Sequence, residues 1–242
     1  MHGNDFLWEL ILLSHPFRWI VGRKITAGSS GCLIRRDNRL IALTIQYGDP
    51  PGAPVLYGFH HRFRGPVLYP LQDPFSVEIP GILGPDKKKS YLICSELSDP
   101  GSPESGAVNA VETHYQEVGP NGEIIHERAR KEGNLDATRV PNLADRYGFS
   151  CFKDILTHLD DYDHLVFSEQ NIEYTGKTRG LFRFRCARVD SFFLPSGCQG
   201  SPIVDERGHV ISLLVGGDSS KQVYYGLDLW KFLDKDRFPS DQ

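Results

Sequence analysis

Residues Leu194 to Gly217 read LPSGCQGSPIVDERGHVISLLVGG. Gly197 and Gly200 permit a tight loop whose backbone N–H groups can converge on one point, and Ser201-Pro202 redirects the chain into the short strand Ile203-Val204. Asp205-Glu206-Arg207-Gly208 is a turn signal. His209 to Val215 then reads as a second buried strand that ends in Gly216-Gly217. A glycine loop, a hairpin and a glycine-terminated strand together make a carbonyl-receiving turn beside a strand edge on which a peptide could lie.

The rest of the chain agrees with a mainly β protein. Its 242 residues hold 24 glycines, 16 prolines and one methionine, with 14 phenylalanines and 10 tyrosines, a mixture that favours short strands and tight turns. The net charge of −4 comes with no basic block beyond Asp86-Lys87-Lys88-Lys89 and Arg128-Ala129-Arg130-Lys131, so no electrostatic footprint of nucleic-acid binding is present. Five cysteines, Cys32, Cys94, Cys151, Cys186 and Cys198, are odd in number and irregularly spaced. They fit free thiols in a reducing compartment better than a disulfide framework, so a cytoplasmic location is expected. The opening FLWELILLSHPFRWIV carries Glu9 within its apolar run and no cleavage-type ending, and reads as a short amphipathic helix rather than a signal peptide or membrane span.

Along the chain, residues 1–21 form an N-terminal helical segment and 22–79 a first β-barrel. CLIRRDNRLIALTI, with its turn at Arg35-Arg36-Asp37-Asn38, is the clearest hairpin. Residues 80–142 are polar and rich in glycine and proline, which marks an insertion or linker. Residues 143–242 form a second barrel. It contains a helix over 143–159, suggested by Phe152, Ile155 and Leu159 at helical spacing, and closes with a C-terminal helix carrying Leu227, Trp230 and Leu233.

The run GCQGSPIVDERGHVISLLVGG resembles the nucleophile loop of the trypsin-like (chymotrypsin-fold) serine peptidases, Gly-x-Ser-Gly-(Gly/Ser)-Pro followed by a hairpin and a Gly-containing strand. Gly197, Gly200, Ser201 and Pro202 match that pattern, while Gln199 stands where the nucleophile belongs. The hairpin ending ALTIQYG resembles the family's Ala-Leu-Thr-x-x-His turn, with Tyr47 in the position of the general base. An amide cannot attack a carbonyl, and a phenol with an ordinary pKa of about 10 is a poor base at neutral pH. The resemblance implies a trypsin-like double β-barrel with a C-terminal helix and a long polar insertion, and no cofactor or metal. It further implies a catalytically degenerate cleft holding a protein or peptide ligand along Val215, Gly216 and Gly217. Two aspartates compete for the acid's place: Asp163, in DYDHLVF, and Asp73, in LQDPFSVEI.

Rival readings start from the same loop. Cys198 could replace the nucleophile if the loop shifted by one residue, making an active cysteine protease. SFFLPSGCQG also resembles the nucleophile segment of caspase-like proteases, with His158 supplying the base. His158, Asp160, Asp161, Asp163 and His164 cluster in sequence as a metal site might, and His60-His61 fits no zinc spacing. Phe192-Phe193-Leu194 would line a specificity pocket or fill the core. A domain whose useful surface is the polar insertion is the remaining class. Neither nucleic acid nor a membrane is expected as partner, and the oligomeric state is open.

Overall fold

The computed structural model describes residues 3–21, 24–36, 39–48, 54–60, 65–71, 73–83, 88–97, 113–121, 123–135, 140–152, 166–186, 194 and 197–233. A helix, α1 (Gly3–Leu13), leads into two sheets, antiparallel except for one short parallel pairing at the edge of the second. The first contains β1 (His15–Val21), β2 (Lys24–Arg36), β3 (Arg39–Tyr47), β4 (Pro54–His60), β5 (Gly65–Pro70), β6 (Phe75–Leu83), β7 (Lys89–Leu97), β8 (Thr113–Val118) and β9 (Ile124–Ala129). Its order is β6-β7-β3-β2-β1-β4-β8-β9, with β5 beside β4. The second contains β10 (Asn134–Leu135), β11 (Arg146–Phe152), β12 (Val166–Thr178), β13 (Leu181–Arg185), β14 (Pro202–Asp205), β15 (His209–Asp218) and β16 (Val223–Leu227). The order β15-β14-β11-β12-β13-β16 returns to β15 through a β15–β16 pairing, which closes a six-stranded barrel. No helix among the described residues is long and apolar enough to cross a membrane.

Strand β3 shows why the sequence folds this way. RLIALTIQY is buried at every position from Leu40 to Gln46, because both faces of the strand are covered. With side chains alternating, Leu40 and Ala42 enter one core with Leu33, Phe17, Trp19, Leu56 and Ile93. Ile41, Leu43 and Ile45 enter another, between the two sheets, where they meet Val210, Leu213, Val215, Leu227, Leu229 and Leu233. A third core, with Tyr147, Phe149, Cys151, Phe182, Phe184 and Tyr224, fills the closed barrel.

Three expectations need correction. The N-terminal segment is helical only to Leu13: Pro16 cannot extend a helix, and Phe17 and Trp19 alternate into the first core from β1. The expected helix over 143–159 is a strand over Arg146–Phe152, paired with both β12 and β14. Tyr147, Phe149 and Cys151 face the barrel interior, Gly148 faces Leu10 and Phe6 of α1, and the Ser150 hydroxyl bonds Phe167 and Ser168 of β12. Two covered faces erase the alternation that would have marked the strand; residues 153–159 lie outside the described ones. Third, the segment 80–142 is not wholly an insertion. Tyr91-Leu92-Ile93-Cys94 belongs to β7, which pairs with β3 along its length. The polar excursion is the hairpin β8–β9, whose outer strand is exposed at all six residues. The chain beyond β16 makes a 3-10 turn over Leu229–Lys231 that buries Leu229 and Leu233; residues 234–242 lie outside the described ones.

Helix α1 seals the back of the closed barrel. Phe6, Leu10 and Leu13 pack on Val204, and a side chain at Gly148 would collide with Leu10. Arg130 is buried and donates to the Ile11 and Ser14 carbonyls at the helix end, with its guanidinium over the Phe152 ring. Burial pulls the Arg130 pKa down to about 9. Leu10→Ala should destabilise the protein by about 2–4 kcal/mol in urea unfolding, the cost of a cavity at a fully buried leucine.

Candidate functional site: a cleft closed by Tyr47 and Gln199

The loop 197–200 forms as its glycines require. Gly197 and Gly200 have φ of 86° and 83°, a region that penalises any Cβ. Gly200 is also hemmed in: a Cβ there would run into the Ser30 carbonyl and lie 2.7 Å from Ile45 N. Ser30, on β2, pins the loop from the other sheet. Its N–H donates to the Gln199 carbonyl at 3.0 Å, and its hydroxyl donates to the Gly197 carbonyl at 2.9 Å. The same hydroxyl accepts Phe152 N–H at 2.9 Å, and its carbonyl accepts the Thr44 hydroxyl at 2.7 Å. Gly200 is not available to receive a ligand carbonyl, because its N–H donates to the Leu214 carbonyl at 2.8 Å. The N–H groups of Gly197 and Gln199 have no such bond among the described residues.

Tyr47 and Gln199 meet. The Tyr47 hydroxyl donates to the Val215 carbonyl, and the Gln199 side chain lies near enough to the same phenol to offset a little of the effect of its burial. Val215 is free for this because a register shift between Leu214 and Gly216 leaves it without a partner on β16. Burial pushes the phenol pKa up to about 12, with Gln199 pulling weakly the other way. At neutral pH the pair offers neither a proton acceptor nor a nucleophile.

A third position was not foreseen. Register places Ser90 directly across from Tyr47. Ser90 is fully buried and its hydroxyl has no hydrogen-bond partner among the described residues. Asp73 precedes β6, whose first residue Phe75 pairs with Cys94, four positions along β7 from Ser90, about 13 Å at ~3.3 Å per residue. Asp73 is exposed in a bend with φ of 41° and does not approach Tyr47. Asp163, His158, Asp160, Asp161 and His164 lie outside the described residues, as do His61, Phe192 and Phe193.

Cys198 is not a free nucleophile. It is fully buried and disulfide-bonded to Cys151 on β11, leaving Cys32, Cys94 and Cys186 as buried free thiols. The bond corrects the expectation of five unpaired cysteines, and removes two of them from the argument for a reducing compartment. It also removes the sulfur on which both cysteine-protease readings depended. At Cys32 and Cys94 burial pushes the thiol pKa up, at Cys94 to about 12, which marks them as packing residues.

No protein-family model matches the chain, and no curated protein resembles it in sequence. Solved structures do. The active form of the Rv3671c protease from M. tuberculosis superposes with a TM-score of 0.52 at 11% identity, covering 99% of this chain and 86% of that one. The fold is that of the trypsin-like serine proteases. A serine endoprotease from Yersinia pestis gives a TM-score of 0.49 at 10% identity, over 93% of this chain and 61% of that one. This chain therefore corresponds to about three-fifths of the Yersinia protein's length. A Glu endopeptidase crystallised with MPD gives 0.47 at 12% identity, over 90% and 86%. The end of β3 thus sets Tyr47 beside Gln199 of the loop on one side and across from Ser90 of β7 on the other.

Two measurements test this geometry. Ser30→Ala removes two buried hydrogen bonds between the sheets and should cost about 1–3 kcal/mol in denaturant unfolding. Tyr47→Phe should cost about 1 kcal/mol near pH 7. Because the folded-state pKa of Tyr47 is raised above the unfolded value, the hydroxyl's contribution is fully present below about pH 10. It is lost as pH rises through about 12, so the wild-type advantage over Tyr47→Phe should shrink between those values.

Proposed function

We propose that this protein is a non-catalytic, trypsin-like pseudoprotease whose cleft binds an extended peptide. The observation that carries the reading is the Tyr47 phenol, which donates to the Val215 carbonyl beside Gln199 and whose burial pushes its pKa up to about 12. A buried Ser90 across the strand, which carries no carboxylate, supports it.

The ligand side is the outer edge of β15. Beyond Leu214, β15 is paired only with β16 among the described residues, through Gly216, Gly217 and Asp218. Antiparallel pairing alternates, so one of the two glycines turns its N–H and C=O to the open edge, where a peptide strand could add. The Gly197 and Gln199 N–H groups lie in the loop beside it and would meet a peptide carbonyl. No nucleic acid, membrane or cofactor enters this reading. A cytoplasmic setting now rests on Cys32, Cys94 and Cys186 alone.

At neutral pH neither a fluorophosphonate nor an iodoacetamide probe should label the native protein. Extended peptides selected by display should bind it, and Gly216→Leu should weaken them more than tenfold without moving the unfolding midpoint. A Cβ at Gly216 has only the Tyr47 hydroxyl nearby, at 3.5 Å, so the added side chain enters the cleft. Stoichiometric labelling by either probe, or equal binding by Gly216→Leu, would contradict the reading.

A further inference from the structure

Strand β15 changes partners around Val215. Its pairing with β14 ends at Leu213, opposite Pro202, and its pairing with β16 skips Val215, since Leu214 stands opposite Gly226 and Gly216 opposite Tyr225. A bulge of this kind leaves its extra residue outside the ladder. The Val215 carbonyl accepts instead from the Tyr47 hydroxyl, which comes from the other sheet. This acceptor is closed off: Val215 is 1% exposed, whereas Gly216 is half-buried and Gly217 exposed. The Tyr47 hydroxyl also stands over Gly216, 3.5 Å from where a Cβ would be.

The peptide edge of β15 therefore begins with an acceptor that is already taken. Backbone groups alternate along a strand, so Gly217 turns its own to the side that the Val215 carbonyl faces. A peptide laid along Gly217 reaches Val215 next, and a peptide that leaves that carbonyl to the phenol forgoes one ladder bond. The cover is a side chain, and it can turn. Tyr47 is half-buried at the last position of β3, and a change of its rotamer leaves the backbone pairing with β7 intact.

We propose that Tyr47 is a gate on the peptide edge: its hydroxyl holds the Val215 carbonyl in the free protein, and an extended peptide displaces it by donating a backbone N–H to that carbonyl. The inference rests on the peptide-binding reading above. One acceptor bond is exchanged for another, so the closed gate lowers the affinity of every peptide by the bond that must be given up. Removing the hydroxyl should then raise affinity while lowering stability, two effects of opposite sign from one group.

The test uses peptides selected by display against the wild-type chain and weakened by Gly216→Leu, which assigns them to this edge. Calorimetry should show about five- to tenfold tighter binding to Tyr47→Phe than to wild type, the gain expected from one hydrogen bond no longer given up. A backbone N-methyl scan of the peptide identifies the N–H concerned. Methylation at one position should bring the two proteins within twofold of each other, and elsewhere it should leave their ratio unchanged wherever binding persists. Circular dichroism confirms that Tyr47→Phe is folded. Equal or weaker binding to Tyr47→Phe, or a gain that survives methylation at every position, overturns the gate and leaves the cleft reading standing. Selection of no peptide, or of none that Gly216→Leu weakens, overturns both.

Discussion

Ser30 is the residue on which the two sheets agree. Its backbone and side chain together hold Gln199, Gly197, Phe152 and Thr44, from the glycine loop, the closed barrel and the first sheet. Ser30 is fully buried, so each of these bonds forms where an unmatched donor or acceptor would cost on the order of 1–3 kcal/mol. The arrangement fixes how the loop stands against the end of β3. Once it is fixed, Gln199 lies beside Tyr47.

The same constraint explains why Tyr47, Ser90 and the β15 bulge meet at one sheet interface. Alternation along β3 sends Ile45 and Tyr47 to the face that packs on the second sheet, and alternation along β7 sends Ser90 the same way as Leu92 and Cys94. Tyr47 reaches across the sheet interface because its backbone is the continuation of a strand buried on both sides. A phenol is long enough to find the Val215 carbonyl that the β15 bulge leaves open, so the interface stays hydrogen-bonded without a histidine or a serine nucleophile.

How far the sequence revealed this differs from element to element. The β2–β3 hairpin and the glycine loop were legible, because turn residues and positive-φ glycines act locally. Gln199 and Tyr47 were both visible as departures from a motif, and the structure joins them. Ser90 was not, since a serine carries no signal until register sets it opposite Tyr47. The strand over 146–152 was misread because two covered faces hide the period of two, and Asp73 was attractive by spacing alone although sheet order carries it away from Tyr47 along β7. The Cys151–Cys198 bond joins residues 47 positions apart, a closeness that only the folded barrel provides.

The central claim is that this trypsin-like cleft holds a chain without cutting it. Incubating the purified protein with a proteome-derived peptide library, and reading new termini by mass spectrometry, tests that most directly. The account predicts the same termini with and without the protein at neutral pH. New termini sharing a sequence window, and absent when Tyr47→Ala or Cys198→Ala replaces the wild type, would contradict it.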